Sequence, residues 1–149
     1  MTPKGKDLLL NKVEQLKKKK YTALYLGDET KKEVSIKTPE DMKGYYSNAK
    51  IDIDNMLNSN KMKEYIAITG LVVIFLVGLA IIIYNTIIGE NSPITTAGTI
   101  AGMGISITWP INKLLNLRDD NIHLHKYLLL VPLLPFEEAG EKAEKILFG

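Results

Sequence analysis

Hydrophobic and polar residues are segregated into blocks along this chain. Residues 66–88, IAITGLVVIFLVGLAIIIYNTII, form an apolar run broken only by Thr69, Tyr84, Asn85 and Thr86. As a helix it is roughly 34 Å long, enough to cross a hydrocarbon core of about 30 Å with some tilt. Lys61, Lys63 and Glu64 precede it, Glu90 and Asn91 follow it, and Tyr65 and Tyr84 stand where interfacial aromatics are expected. Asn91-Ser92-Pro93 predicts a turn. A second uncharged segment follows at 94–112, weaker in hydrophobicity and rich in Gly, Ala, Ser and Thr. Trp109 suits an interface anchor, and Pro110 is expected to kink or end the helix.

The flanks read differently. Leu9, Val13 and Leu16 fall at helical spacing, so 7–19 predicts a short amphipathic helix. The strand-like run Tyr21-Thr-Ala-Leu-Tyr-Leu, the turn signal Gly27-Asp28 and Glu33-Val-Ser-Ile-Lys predict a β-hairpin over 21–37. Thr38-Pro39-Glu40 is a helix start: a capping hydroxyl, proline in the first turn, then an acid. The helix that follows carries Met42, Tyr45, Tyr46, Ala49, Ile53, Met56 and Leu57 on one side, with a break expected near Asn58-Ser59-Asn60. After the second span, 116–127 is amphipathic. The apolar stretch 128–136, with two prolines, is too short to span a bilayer. It is expected against the membrane interface or the N-terminal helix. Residues 137–148 predict a last helix with Ala139, Ala143, Ile146 and Leu147 on one face.

The expected architecture is therefore mainly α. It has a cytoplasmic N-terminal region at 1–64, a two-helix transmembrane hairpin at 65–115 with spans 66–88 and 94–112, and a helical C-terminal tail at 116–149. Charge sharpens this picture. Between Glu64 and Lys113 the only formal charge is Glu90, a distribution foreign to a water-facing surface. Lys43, Lys50, Lys61 and Lys63 precede the first span, Lys113, Arg118 and Lys126 follow the second, and the turn between has no basic residue. The positive-inside rule then places both termini of a multi-pass membrane protein in the cytoplasm and the turn outside. The start of the chain has no apolar stretch long enough for a secretory signal.

Candidate chemistry concentrates on the second span. At 100° per residue, Thr95, Gly98, Thr99, Gly102, Ser106, Trp109 and Lys113 fall within about 60° of one line. Two readings stand. Gly98 and Gly102 form a GxxxG and serve close helix packing, or the hydroxyls line a water path once several copies assemble. One hairpin is too small to enclose a channel, so the second reading requires a homo-oligomer. Lys17, Lys18, Lys19 and Lys20, beside Tyr21 and Tyr25, form a basic run open to three readings: phosphate or nucleotide contact, anionic lipid, or a solvated helix end. His123 and His125 point about 200° apart on a helix and share no metal there. With no cysteine and no P-loop, GxSxG or HExxH motif, no catalytic, metal or cofactor site is read, and the chain is expected not to be an enzyme.

The stretch from Tyr45 to Leu134 resembles the two-transmembrane effector modules of bacterial anti-phage defence. These include the membrane effectors of CBASS-like and Hailong-type systems and the two-helix membrane domains associated with TRADD-N. The resemblance rests on an amphipathic lead-in (YYSNAKIDIDNML), an apolar first span (YIAITGLVVIFLVGLAIIIYN), a short polar turn (GENSP), a Gly/Thr-rich second span (ITTAGTIAGMGIS) and a Trp-Pro exit. It implies a self-assembling effector that depolarises the inner membrane in abortive infection. The chain departs from that pattern in carrying no recognisable ligand-sensor domain. Sensing then falls to residues 1–64, through a nucleotide or oligonucleotide signal, or to a separate sensor protein. The alternatives are a membrane anchor or adaptor tethering a cytoplasmic interaction module, and a holin-like small membrane protein. The long cytoplasmic region weighs against the last.

Overall fold

A computed structural model describes residues 1–24, 31–88 and 93–149; the side chains at 22–24, 31–32 and 93–95 are outside that description. Among the described residues the chain is mainly helical, with four α-helices and a two-stranded antiparallel sheet. The order is α1 (Pro3–Lys17), β1 (Lys20–Leu24), β2 (Lys31–Ser35), α2 (Pro39–Ile88), α3 (Pro93–Leu130), a 3-10 turn (Val131–Leu133) and α4 (Ala139–Phe148). The expected turns at Gly27-Asp28 and Asn91-Ser92 lie outside the described residues.

The elements form two compact units, Met1–Ser59 with Arg118–Gly149, and Asn60–Leu117. In the first, helical spacing has become burial. Leu9, Val13 and Leu16 of α1 meet Met42, Tyr45, Ala49, Ile53, Met56 and Leu57 of α2. Tyr21 and Ile36, then Leu124, Tyr127 and Val131, and Ala139, Ala143 and Leu147 of α4, complete this core. The apolar stretch 128–136 is absorbed here: Val131 is buried, and Leu128, Leu134 and Phe136 pack against the core. The C-terminal segment thus shares one unit with the N-terminal region. Each fully buried Leu, Ile or Val contributes about 1.5–3 kcal/mol relative to exposure.

The joints are polar. Thr2 caps α1 by accepting the Gly5 N–H at 3.2 Å, and its own N–H and hydroxyl donate to the buried carboxylate of Asp120. At the far end Lys19 adopts φ 49°, the left-handed residue that stops the helix, and its N–H closes on the Leu16 carbonyl at 3.1 Å. The chain turns directly into β1, which pairs with β2 in the register Lys20↔Ser35 to Leu24↔Lys31.

α2 begins at the expected signature. The Thr38 hydroxyl accepts the Asp41 N–H at 3.2 Å, and the Asp41 carboxylate accepts the N–H groups of Lys37 and Thr38 at 2.9 Å each. These reciprocal bonds hold the Asp41 carboxyl below its usual range, the Lys37 N–H first among the causes. Thr38→Ala is expected to cost about 1 kcal/mol. Hydrogen exchange at the amides of Glu40 and Asp41 would speed accordingly, while amides near Ile53 stay protected.

The break expected near Asn58-Ser59-Asn60 is corrected, and of the kink or end expected at Pro110 the end does not occur. α2 runs unbroken through Asn58-Ser59-Asn60. Three such residues each cost at most about 0.7 kcal/mol in helix propensity, and the burial of Met56 and Leu57 beside them outweighs that. α3 likewise continues through Pro110 to Leu130. Proline removes one N–H, the partner of the Ser106 carbonyl, and one lost bond does not end a helix whose later turns bury Leu124 and Tyr127.

Candidate functional site

The unit Asn60–Leu117 is built from residues 60–88 of α2 and 93–117 of α3. Its surface is the reverse of a soluble protein's. Val72, Phe75, Leu76, Ile83 and Ile87 of α2, and Ile100 and Ile105 of α3, are all exposed. Among the described residues α2 is the one helix long and apolar enough to cross a membrane, and only 11% of its most apolar stretch is buried. Leaving such surface in water costs about 25 cal/mol per Å², so this stretch calls for a non-aqueous neighbour.

The two helix segments approach closely at Gly78. A Cβ added at Gly78 would lie 1.7 Å from the Met103 sulfur and 2.8 Å from its Cγ. Only a bare backbone lets Met103 lie across α2 there. Gly78→Ala is expected to cost about 1–3 kcal/mol through overpacking. Met103→Ala in the same chain should recover most of that loss, a coupling that a double-mutant cycle in denaturant would measure.

Beside this contact runs a groove of about 380 Å³ lined by Val73, Ile74, Val77, Gly78 and Ile81 of α2, with Thr99, Gly102, Met103 and Ser106 of α3. Three residues of the predicted stripe, Thr99, Gly102 and Ser106, therefore come together on one groove wall. Gly98, Trp109 and Lys113 do not line it, and the Thr95 side chain is outside the described set. A Cβ at Gly98 or Gly102 would meet nothing within 4 Å. The GxxxG glycines thus make no close helix–helix contact within the chain, whereas Gly78 makes one, against Met103. Trp109 is two-thirds exposed, and the Lys113 ammonium sits 4.8 Å from its ring centroid, a cation–π pair one turn apart. Hydroxyls in the apolar segments bond back to their own helix: Thr86 to the Ile82 carbonyl and Thr108 to the Gly104 carbonyl, both at 2.9 Å.

The basic run is arranged otherwise than as a free cationic surface. Lys17 pairs with Glu144, Lys18 with Glu14 at 2.6 Å and Lys20 with Glu33 at 3.8 Å. Lys19 lies 4.8 Å over the Phe136 ring. The hydrogen bond from Lys18 holds the Glu14 carboxyl below its usual range. Tyr21 is buried, its ring edge-on to Tyr45 at 5.7 Å, so it presents no face for a base to stack on. Tyr25 lies outside the described residues. A hollow of about 140 Å³ beside the run is lined by Glu14 and Glu33 as well as Lys18 and Lys20, which balances its charge.

His123 and His125 both lie on α3. The His123 Nε2 is 3.7 Å from Asp119, while His125 is exposed on another face. Among the described residues no three His, Asp or Glu side chains gather to hold a metal. No family model, curated protein or solved structure matches this chain.

Sequence reasoning missed Gly78 and Met103. A lone glycine inside an apolar run carries no spacing signal, and its partner is set only when two helices pass side by side. It also missed the buried hydroxyl pair of Tyr45 and Tyr127, since periodicity marks Tyr45 as core without naming what it touches.

Proposed function

We propose that this chain inserts two helices into a bacterial inner membrane and assembles with copies of itself into a channel that depolarises that membrane. The observation that carries this is the combination within one unit. An apolar helix is left bare, and it stands beside a Gly/Thr/Ser face that the chain's own partner helix leaves uncovered. Lipid satisfies the first, and neighbouring copies with water between them satisfy the second. The basic residues flanking both apolar segments orient the termini toward the cytoplasm. The resemblance to anti-phage effectors supplies the setting, abortive infection. With its lysines paired, the basic run argues for a sensor protein over a nucleotide bound at that place.

A second reading, a membrane anchor for an interaction module, draws on the fact that Met1–Ser59 with Arg118–Gly149 has a core of its own. Assembly separates the two. Gly98→Leu meets open space within the chain, so the helix pair is expected to stay folded. Oligomers in detergent should dissociate, and conductance in planar bilayers should vanish, because the bulky side chain parts neighbouring copies. A monomeric wild-type chain that never conducts would favour the anchor.

A further inference from the structure

The unit Met1–Ser59 with Arg118–Gly149 carries a second concave surface, unrelated to the membrane-facing stripe. Lys43, Tyr46, Ser47 and Lys50 occupy positions i, i+3, i+4 and i+7 of α2, and therefore share one face. Opposite them stand Tyr127, Leu128 and Pro132. Together they enclose a groove of about 390 Å³, within the roughly 300–1,000 Å³ typical of small-molecule sites. Its floor is aromatic and aliphatic. Tyr46 is fixed there by donating its hydroxyl to the Val131 carbonyl at 3.1 Å, and burial pushes that hydroxyl up to about 12, so it stays neutral.

The groove carries positive charge with no acid on its lining. Lys12, Lys17, Lys18, Lys20 and Lys142 each have a carboxylate partner. Lys43 and Lys50 have none among the described residues, and no carboxylate lines the groove. The two ammonium stems rise from α2 about 10 Å apart along the helix axis, two turns. An apolar trough whose α2 wall carries a lysine on either side of the Ser47 hydroxyl is complementary to an apolar body bearing negative groups.

We propose that this groove binds a small, free organic dianion: a flat or extended apolar body carrying carboxylate, phosphate or sulfonate groups at its two ends. The body covers Tyr46, Leu128 and Pro132, and each end meets one lysine. The inference stands independently of the channel reading, because every lining residue belongs to the unit that has its own core.

The test uses the full chain in phosphatidylcholine nanodiscs and three probes: naphthalene-2,6-dicarboxylate, the mono-anion 2-naphthoate, and the uncharged dimethyl ester of the first. Saturation-transfer NMR titrations report affinity. The dicarboxylate is expected to bind saturably, about tenfold more tightly than the mono-anion, as for one added charge-assisted contact. The ester should show only unsaturable partition. Lys43→Gln and Lys50→Gln should each bring the dicarboxylate to the mono-anion's level, and Leu128→Trp, which fills the trough, should abolish binding. Lys126→Gln, outside the groove, should change nothing. The lysine variants are surface changes, so they keep the test valid if Leu128→Trp misfolds. Three results overturn the proposal: no saturable dicarboxylate binding, equal binding of the ester, or affinity indifferent to both lysine variants. Loss of binding in phosphatidylglycerol nanodiscs at constant ionic strength also overturns it, since a lipid headgroup would then be the occupant.

Discussion

Tyr45→Ala is expected to unfold the unit formed by Met1–Ser59 and Arg118–Gly149 under conditions where the wild-type chain is stable. The Tyr45 side chain is 1% exposed. Its ring stands edge-on to those of Tyr21, at 5.7 Å and 78°, and Tyr46, at 5.4 Å and 65°, the geometry aromatic quadrupoles prefer. Its hydroxyl donates to the Lys12 carbonyl at 2.8 Å and shares a hydrogen bond with the Tyr127 hydroxyl. α1, α2 and α3 are therefore joined at one side chain. Truncation to alanine removes about 3–5 kcal/mol, against a total of about 5–15 kcal/mol for an ordinary domain. Tyr45→Phe keeps the ring and leaves the Lys12 carbonyl and Tyr127 hydroxyl short of a partner, at about 1–3 kcal/mol. Pulse proteolysis in urea, with the chain in nanodiscs, orders the three proteins. Equal losses for Phe and Ala would place the whole effect on the hydroxyls and sink the argument from ring packing.

The same pair fixes a pH dependence. Burial pushes both hydroxyls above the ordinary tyrosine value of 10.0, Tyr45 the further. The folded state thus favours the neutral phenols. Their contribution is complete below the unfolded pKa near 10 and is lost as pH rises above it toward the folded values. Stability of this unit should fall above pH 10 more steeply in wild type than in Tyr45→Phe.

Periodicity carried much of that core. Leu9, Val13 and Leu16, then Met42, Tyr45, Ala49 and Ile53, are legible because an amphipathic helix writes its buried face at fixed local spacing. The start of α2 at Pro39 is legible for the same reason, since a cap is a matter of four neighbouring residues. What stayed hidden depends on distant partners. The acid partners of Lys17 and Lys20 are such a case, because the acid that holds Lys17 lies 127 positions away and the one facing Lys20 arrives by strand pairing. Breakers by local chemistry do not end a helix where burial opposes them: α2 runs on through Asn58-Ser59-Asn60 and α3 through Pro110. In the membrane-like unit the stripe was legible, but its division was not. Only the meeting of Gly78 with Met103 shows that Thr99, Gly102 and Ser106 share a groove wall while Gly98 stands clear.

That division sets the last expectation, which concerns conduction. If the proposed channel forms and the Thr/Gly/Ser face borders its water path, the hydroxyls of Thr95, Thr99 and Ser106 replace bulk water around a passing ion. Valine at 95 and 99 keeps the shape and removes that solvation, and a narrow apolar constriction dewets and closes. Thr95→Val with Thr99→Val is therefore expected to assemble as wild type does and to conduct at least about tenfold less. Cells expressing it should keep their membrane potential. Lys113 lies on the same helical line beyond Trp109, whose ring it faces at 4.8 Å. At a cytoplasmic mouth its charge repels cations, so Lys113→Glu should move the reversal potential toward cation selectivity. That change also removes the cation–π pair, worth about 0.5–1 kcal/mol at an exposed site, too little to dismantle the assembly. Lys113→Gln separates the two effects: it loses the pair without inverting the charge, and its selectivity should fall between the others. A double valine chain that conducts like wild type, together with a reversal potential indifferent to residue 113, would make this face a seam between copies rather than the wall of a pore.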